Sequence, residues 1–454
     1  MGKGVDAIYG AGLLAASPVI ALSLLRTGKW RTDWKARLGR VSSAGLALPE
    51  PDRKHPTILI HAVSVGETNL VAPLIDRLLA DPAAPRVVVA TTTQTGFDRG
   101  VSRYADRCAV VRYPLDFSAS VARFLDAIRP SVAASVELEV WPNFTQACAR
   151  RGVPVAVVNG RLSERSFRGY RRFVRWVGPM FRRLAAVGAQ TPDYAERFVA
   201  MGVPAVRVSV LGNMKWDAVR LDDPDLPGRA ETLARELGVD RTKPVVVAGS
   251  TGPGEEAELL KALPDGVQLI LAPRKPERFE EVAQAAAHFD AVRLSRVRAG
   301  ESSPESTRVF LIDTIGDLTA AYALADVALV GRSWNGMYGS NPVEPVAAGA
   351  AAIIGPDHAD FSADVDALVQ AGGLKIAPQP MPAALALLAD PDARMRMVSA
   401  GRTAIRAQQG AADRYAAMLL GLAGAGGTGD PPAPPPAPEA RDAPPDAASD
   451  AAPP

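Results

Sequence analysis

Cysteine is nearly absent from this chain of 454 residues: Cys108 and Cys148 are the only two. That excludes a disulfide framework and fits free thiols in a reducing compartment. Histidine is almost as scarce. His55, His61, His288 and His358 are scattered and form no metal-ligand spacing. Asp223-x-Asp225 falls in a turn-rich stretch, and Asp364-x-Asp366 reads as helical, where i and i+2 diverge. No metal and no cofactor is therefore expected. Neither charge dominates. Lys and Arg number 51 against 49 Asp and Glu, a net charge of +2 that gives no global case for a nucleic-acid partner. Gly249-Ser250-Thr251-Gly252 lacks the Gly-Lys-Ser/Thr ending of a phosphate-binding P-loop. No Ser–His–acid arrangement occurs in a recognisable context.

What is present is an ordinary folded composition, with 48% apolar and 22% charged residues, in a chain too long for one core. Two series of strand–helix units are predicted. The first has strands at 57–63, 86–91, 109–113, 132–137, 154–159, 185–190 and 206–211. The second has strands at 245–249, 268–272, 309–313, 327–331 and 351–355. Helical patterns alternate with them, so the fold class is α/β with parallel sheets covered on both faces. Asp222 to Gly228 (DDPDLPG) is a linker. No repeat of solenoid period occurs.

The ends differ from the body. Ala7 to Leu25 carries no charge and is about long enough to cross a bilayer. Arg26, Lys29, Arg31, Lys35, Arg37 and Arg40 follow, against Asp33 alone. By the positive-inside rule, residues 1–26 are expected to be a membrane anchor, with the catalytic body on the cytoplasmic side. Residues 424–454 are Pro- and Ala-rich and are expected to be disordered.

The richest local signal is HAVSVGETN, His61 to Asn69. A buried strand (57–63) leads through a short turn to Glu67, which opens an apolar-periodic helix over 68–80. Ligands bind at such strand-to-helix junctions in open α/β sheets, and the helix dipole favours an ionised carboxylate there. Glu67 is thus a candidate general base. Ser64-x-x-Glu67 is equally a capping box, with both side chains occupied by orphan amides. Glu137 and Glu139 end another strand; if that strand continues, they share a face and form a carboxylate pair. Arg274 follows a strand and offers a fork for phosphate, or an ion pair to Glu277. Asp313 to Asp317 (DTIGD) ends a strand and starts a helix, suited to an anion or simply capped. Arg165, Arg168, Arg172 and Arg175 fall on one helical face among Phe167, Tyr170, Phe173 and Val174, either a lipid- or phosphate-facing surface or a solvated one.

Seven blocks then occur in a fixed order: SVGE (64–67), ELEVWPN (137–143), NGRLSERS (159–166), GNMKWD (212–217), APRKPERF (272–279), DTIGDL (313–318) and NPVEP (341–345). Together they resemble the 3-deoxy-D-manno-octulosonic acid (Kdo) transferases, over about residues 5 to 420. Tyr9, Pro18 and the closing Arg37-Leu38-Gly39 match the family's amino-terminal pattern.

The resemblance implies a GT-B glycosyltransferase, with two Rossmann-like domains facing across a cleft. The expected domains are 27–221 for the acceptor and 222–423 for the CMP-sugar. The implied reaction is inverting transfer of Kdo from CMP-Kdo to a lipid A precursor, lipid IVA, at the inner membrane. Glu67 would be the base, and Glu137 and Lys215 would support the transition state. Pro273, Arg274, Ile315, Gly316, Asp317, Asn341, Pro342, Val343 and Glu344 would contact CMP, with Glu344 on the ribose. The chain departs from the family pattern at Gly252, Lys275, Asp317, Arg332 and Ser340, all close to the expected donor site. The rivals are a GT-B enzyme using another nucleotide sugar and lipid acceptor, a nucleotide-sugar epimerase, and a silent membrane adaptor.

Overall fold

The computed structural model describes residues 6, 33–42, 44, 55–301 and 307–424. The expected anchor stretch and the Pro/Ala-rich tail lie outside these residues, apart from Asp6 and Gly424. Among the described residues no helix is long and apolar enough to cross a membrane.

The chain divides into two α/β units, one built from residues up to Ala218 plus those from Gly410, the other from Val219–Gln409. The first holds strands β1 (Thr57–His61), β2 (Arg86–Thr91), β3 (Ala109–Arg112), β4 (Val132–Val136), β5 (Val155–Gly160), β6 (Ala186–Ala189) and β7 (Val208–Val210). They form one parallel sheet in the order β3-β2-β1-β4-β5-β6-β7. The second holds β8 (Val245–Thr251), β9 (Gln268–Pro273), β10 (Val292–Arg293), β11 (Val309–Leu311), β12 (Val327–Val330), β13 (Ala351–Ile354) and β14 (Leu374–Ile376), in the order β10-β11-β9-β8-β12-β13-β14. All pairs in this sheet are parallel as well.

The continuous apolar runs explain this choice. Alternate residues of a strand point to opposite faces, so a strand buried on both sides must be apolar throughout. Ile58 and Ile60 of β1 enter the core on one face of the first sheet, and Leu59 enters the core on the other. In β8, Val246 and Ala248 face one core while Val245 and Val247 face its counterpart.

The expected boundary of the second domain, 222–423, does not match these units. The helix Ala411–Gly424 packs into the first unit, with Ala411, Tyr415, Leu419 and Leu422 entering the core under β1 and β4. Their i, i+4 spacing gives the helix one apolar face, and that face fits the first sheet. Tyr415 Oη donates to the Gly188 and Gly212 carbonyls at 3.1 and 2.9 Å, and the Asp217 carboxylate accepts from the Gly410 and Ala412 amides.

The strand order reverses between β1 and β4 in the first sheet and between β8 and β12 in the second. Ligands bind beyond the carboxyl ends of the strands at such reversals.

Candidate functional site

In the first unit the reversal point collects carboxylates. β1 runs into Ser64, whose hydroxyl caps the helix Val65–Leu70 by accepting from the Glu67 amide. Glu67 sits in the first turn of that helix and points back over the turn. Its Oε2 accepts from the Val63 amide at 2.9 Å and its Oε1 from the Ser64 hydroxyl at 3.1 Å. Glu67 thus closes a shifted capping box, reaching the amide before the cap residue and not that of Ser64 itself. It uses two of about four lone-pair directions of the carboxylate, which leaves capacity for a proton from elsewhere. The helix expected over 68–80 is broken at Val71. Pro73 has no amide to donate and disfavours helical geometry before it, so a second helix, Ala72–Leu79, starts afresh.

β4 ends at Val136, and Glu137 turns out of the strand with φ +56°. The expectation that Glu137 and Glu139 share a strand face is thus corrected. The two acids lie on a turn, where the Glu139 amide bonds the Val136 carbonyl at 3.3 Å. Glu139 Oε2 accepts from Trp141 Nε1 at 2.9 Å. Both acids remain close to Glu67. Burial pushes the Glu67 carboxyl up to about 7, and the charges of Glu137 and Glu139 add to that shift, while the bonds from Val63 and Ser64 oppose it. Burial also raises Glu139, with Glu137 contributing and the Trp141 bond opposing. No group of three or more His, Cys, Asp or Glu among the described residues is arranged to hold a metal ion.

Beneath this cluster, His61 at the end of β1 is buried, stacks on Tyr113 at 3.5 Å between ring centroids, and meets Thr92 Oγ1 at 3.1 Å. Burial lowers its pKa to about 3, so it is neutral and belongs to the floor.

Lys215 lies in the loop after β7, in sequence far from β4. Asn159, at the end of β5 with φ +52°, reaches across to it: its Oδ1 accepts from the Met214 amide at 2.9 Å. The loop is thereby drawn over β5, one strand from β4. The amide of Lys215 itself bonds Asn213 Oδ1 at 3.0 Å.

Arg37-Leu38-Gly39 also docks on this unit. The Arg37 carbonyl accepts from the Leu115 amide at 2.8 Å. Gly39 has φ +85°, and a Cβ there would fall 2.0 Å from the Ser120 carbonyl oxygen, so only glycine fits.

The arginine face differs from expectation. The helix Glu164–Arg172 stops at Phe173, and a separate helix spans Val174–Arg182. Arg175 therefore does not continue the stripe. Arg168 pairs with Glu164 at 2.8 Å. Phe173 and Trp176 are 61% and 78% exposed at the break. Tyr170 lies near enough to Glu139 for that charge to add to the burial that raises its phenol.

In the second unit, the expected CMP contacts lie at or beyond the carboxyl ends of three strands of one sheet. Pro273 ends β9 and Arg274 follows it, Ile315 to Asp317 follow β11, and Asn341 to Glu344 lead into the helix Val343–Ala348 beyond β12. The Arg274 amide bonds the Thr251 carbonyl at 3.1 Å, and its side chain is exposed. The rival ion pair to Glu277 is not formed among the described residues. Ile315 is 79% exposed beside Gly316, whose φ is +104°. The Asp317 carboxylate is gripped by both terminal nitrogens of Arg298 at 2.9 and 3.0 Å and by the Thr314 hydroxyl at 2.5 Å. Burial alone would raise Asp317, but these bonds hold it below the usual carboxylate value. Asn341 Oδ1 accepts from the Val343 amide at 3.1 Å, and Glu344 Oε1 from the Thr319 hydroxyl at 2.5 Å.

Glu255 carried no role in the sequence reading. It is 2% exposed and accepts four backbone amides: Gly252 and Arg332 on Oε2 at 2.9 and 2.7 Å, Ser333 and Trp334 on Oε1 at 3.0 and 3.2 Å. It locks the loop after β8 to the loop after β12. Its neighbour Glu256 makes a buried two-pronged pair with Arg278 at 2.7 and 2.9 Å. The signal for both was the Gly254-Glu255-Glu256 block, with acids at a helix start beside a reversal point.

Comparison with known proteins adds the following. A family described as 3-deoxy-D-manno-octulosonic-acid transferase (kdotransferase) matches residues 32–218. A 3-deoxy-D-manno-octulosonic acid transferase of Bordetella pertussis is 33% identical over 447 residues, covering 91% of this chain and 98% of that protein. One of Haemophilus influenzae is 30% identical over 427 residues, covering 90% and 97%. A UDP-GlcNAc 2-epimerase of Neisseria meningitidis, solved with UDP-GlcNAc bound, shares the fold at a TM-score of 0.55 with 15% identity, covering 80% of this chain and 99% of that one.

Proposed function

Since the chain belongs to the 3-deoxy-D-manno-octulosonic acid transferase family, we propose that it moves Kdo from CMP-Kdo to the lipid A precursor lipid IVA, with inversion at the anomeric carbon. The enzyme is a Kdo-transferring glycosyltransferase of lipopolysaccharide biosynthesis. The two units are read as the acceptor and donor halves of a GT-B enzyme.

In the proposed step a sugar hydroxyl of the acceptor attacks the anomeric carbon of Kdo. The new carbon–oxygen bond forms as the bond to the CMP phosphate breaks, the proton passes to Glu67, and CMP leaves. A single displacement turns a β-linked donor into an α-linked product. Lys215 and Glu137 support the charge that develops, and Arg274 takes the phosphate through its exposed guanidinium. Glu344 accepts from the ribose hydroxyls, while Pro273, Ile315 to Asp317 and Asn341 to Val343 complete the contact surface.

The observation that carries this reading is Glu67. It lies at the strand reversal of its sheet, keeps free acceptor capacity, and titrates at about 7, where a general base works best. Purified protein incubated with CMP-Kdo and tetra-acylated lipid A precursor should give a Kdo-bearing lipid by mass spectrometry. Product only from a different nucleotide sugar would sink the donor assignment.

We place the enzyme on the cytoplasmic side of the inner membrane, anchored by residues 1–26. The support is the uncharged run Ala7 to Leu25 and the basic run after it. Protein lacking residues 1–26 should lose flotation with anionic liposomes at high salt yet still bind CMP; full flotation would move the anchor elsewhere.

A further inference from the structure

Tyr322 is a tyrosine of the second unit whose hydroxyl has no protein partner among the described residues. It lies on the helix Leu318–Leu324 and is 1% exposed. Among the described residues no hydrogen bond uses the Tyr322 hydroxyl, yet it is not one of the sealed polar atoms left without a partner, so the oxygen remains open to water; the charges of Glu344 and Arg274 both act on it.

Its position is built, not incidental. Thr319 sits one turn earlier on the same face of the helix and holds Glu344 through a 2.5 Å bond to Oε1. Tyr322 therefore points to the side of the helix that carries Glu344. Its hydroxyl ends against Gly249, at the carboxyl end of β8 beside the strand reversal. A Cβ on Gly249 would lie 2.0 Å from that oxygen, so the phenol reaches this place only because residue 249 has no side chain. The hydroxyl thus lies near enough to feel both the carboxylate read as the ribose acceptor and the arginine read as the phosphate ligand.

We propose that the Tyr322 hydroxyl is a nucleotide-binding group that donates to a ribose oxygen of the donor, beside Glu344. The assignment rests on the donor-site reading given above. A hydroxyl open to water and without a protein partner can make that bond when ligand arrives.

Tyr322→Phe keeps the ring and removes only the hydroxyl. Its CMP dissociation constant, read by calorimetry, should rise about tenfold, the factor expected for one neutral hydrogen bond. The melting temperature without ligand should stay level, since no hydrogen bond within the protein is lost. The same pair of proteins is then titrated with 2′-deoxy-CMP and 3′-deoxy-CMP, and the variant's penalty should vanish on one of them. Equal CMP affinity in both proteins overturns the assignment. So does a penalty that persists on both deoxy forms, or a loss of melting temperature with CMP affinity intact, which would make the hydroxyl structural. Failure of the wild-type protein to bind CMP would instead remove the donor-site reading itself.

Discussion

Glu67 and Glu255 each open a helix beside the strand pair where their sheet reverses order, β1/β4 in one unit and β8/β12 in the other. Glu255 accepts four backbone amides from two loops. Glu67 accepts one amide and one hydroxyl, and shares its surroundings with two further acids. A carboxylate with every lone pair filled is a fastener: it has nothing left to offer a substrate, and losing it strands several donors. One with half its capacity free, raised by burial and by like charge, is poised to gain and lose a proton. Topological position alone does not separate these roles; the number of donors around the carboxylate does.

The comparison can be broken from the Glu255 side first, where the effect should be largest. Glu255→Ala leaves four amides without partners, two of them buried at about 1–3 kcal/mol each, so the second unit should lose at least ~2 kcal/mol. Denaturant unfolding would show an early transition, with CMP binding lost alongside. A variant that unfolds normally but fails to turn over would make Glu255 chemical and erase the contrast.

Glu67→Gln probes the other side. Transfer should fall by about 10²–10⁴, the usual contribution of a general base, with CMP affinity nearly unchanged. Near-normal turnover would leave Glu67 as a helix cap only.

Arg274→Ala is smaller. A charge-assisted phosphate contact is worth about 1.5–3 kcal/mol, so CMP binding should weaken by that amount while cytidine binding barely changes. Equal losses for both ligands would remove the phosphate role.

The sheets were legible because doubly buried strands must be continuously apolar; twelve of the strands were readable that way. β10 and β14 were not. Val292–Arg293 has two residues, and Lys375 and Ile376 of β14 are exposed, so neither carries an apolar run. The site was legible where residues adjoin in sequence, as with Ser64 and Glu67. It was not where distant segments meet. Nothing local in Glu255 announces amides supplied from Arg332 to Trp334, and nothing in Asn159 announces that it holds the Lys215 loop. The turn at Glu137 was hidden because a positive φ on glutamate is unusual, and only the tertiary setting maintains it.

The finest test of the contrast is the pH profile, since only the poised carboxylate should titrate in the working range. Glu67 must be ionised to accept a proton. Its folded value of about 7 lies above the ordinary 4.5. The rate should therefore climb as pH rises through 7 and level off above it, with a roughly fivefold drop from pH 7 to pH 6 as the ionised fraction shrinks. The same shift acts on stability with the opposite sense. Between 4.5 and 7 the folded protein holds a proton that the unfolded chain has released, so this group's contribution falls as pH rises through that window. Glu67→Gln removes the group, and the stability of wild type relative to the variant should decline from pH 4.5 to pH 7. Glu139→Gln separates the causes. Burial, the largest, stays, while one like charge disappears, so the midpoint should move to lower pH with turnover retained. A midpoint that does not move would mean the neighbouring acids play no part in poising Glu67, and that burial alone distinguishes it from Glu255.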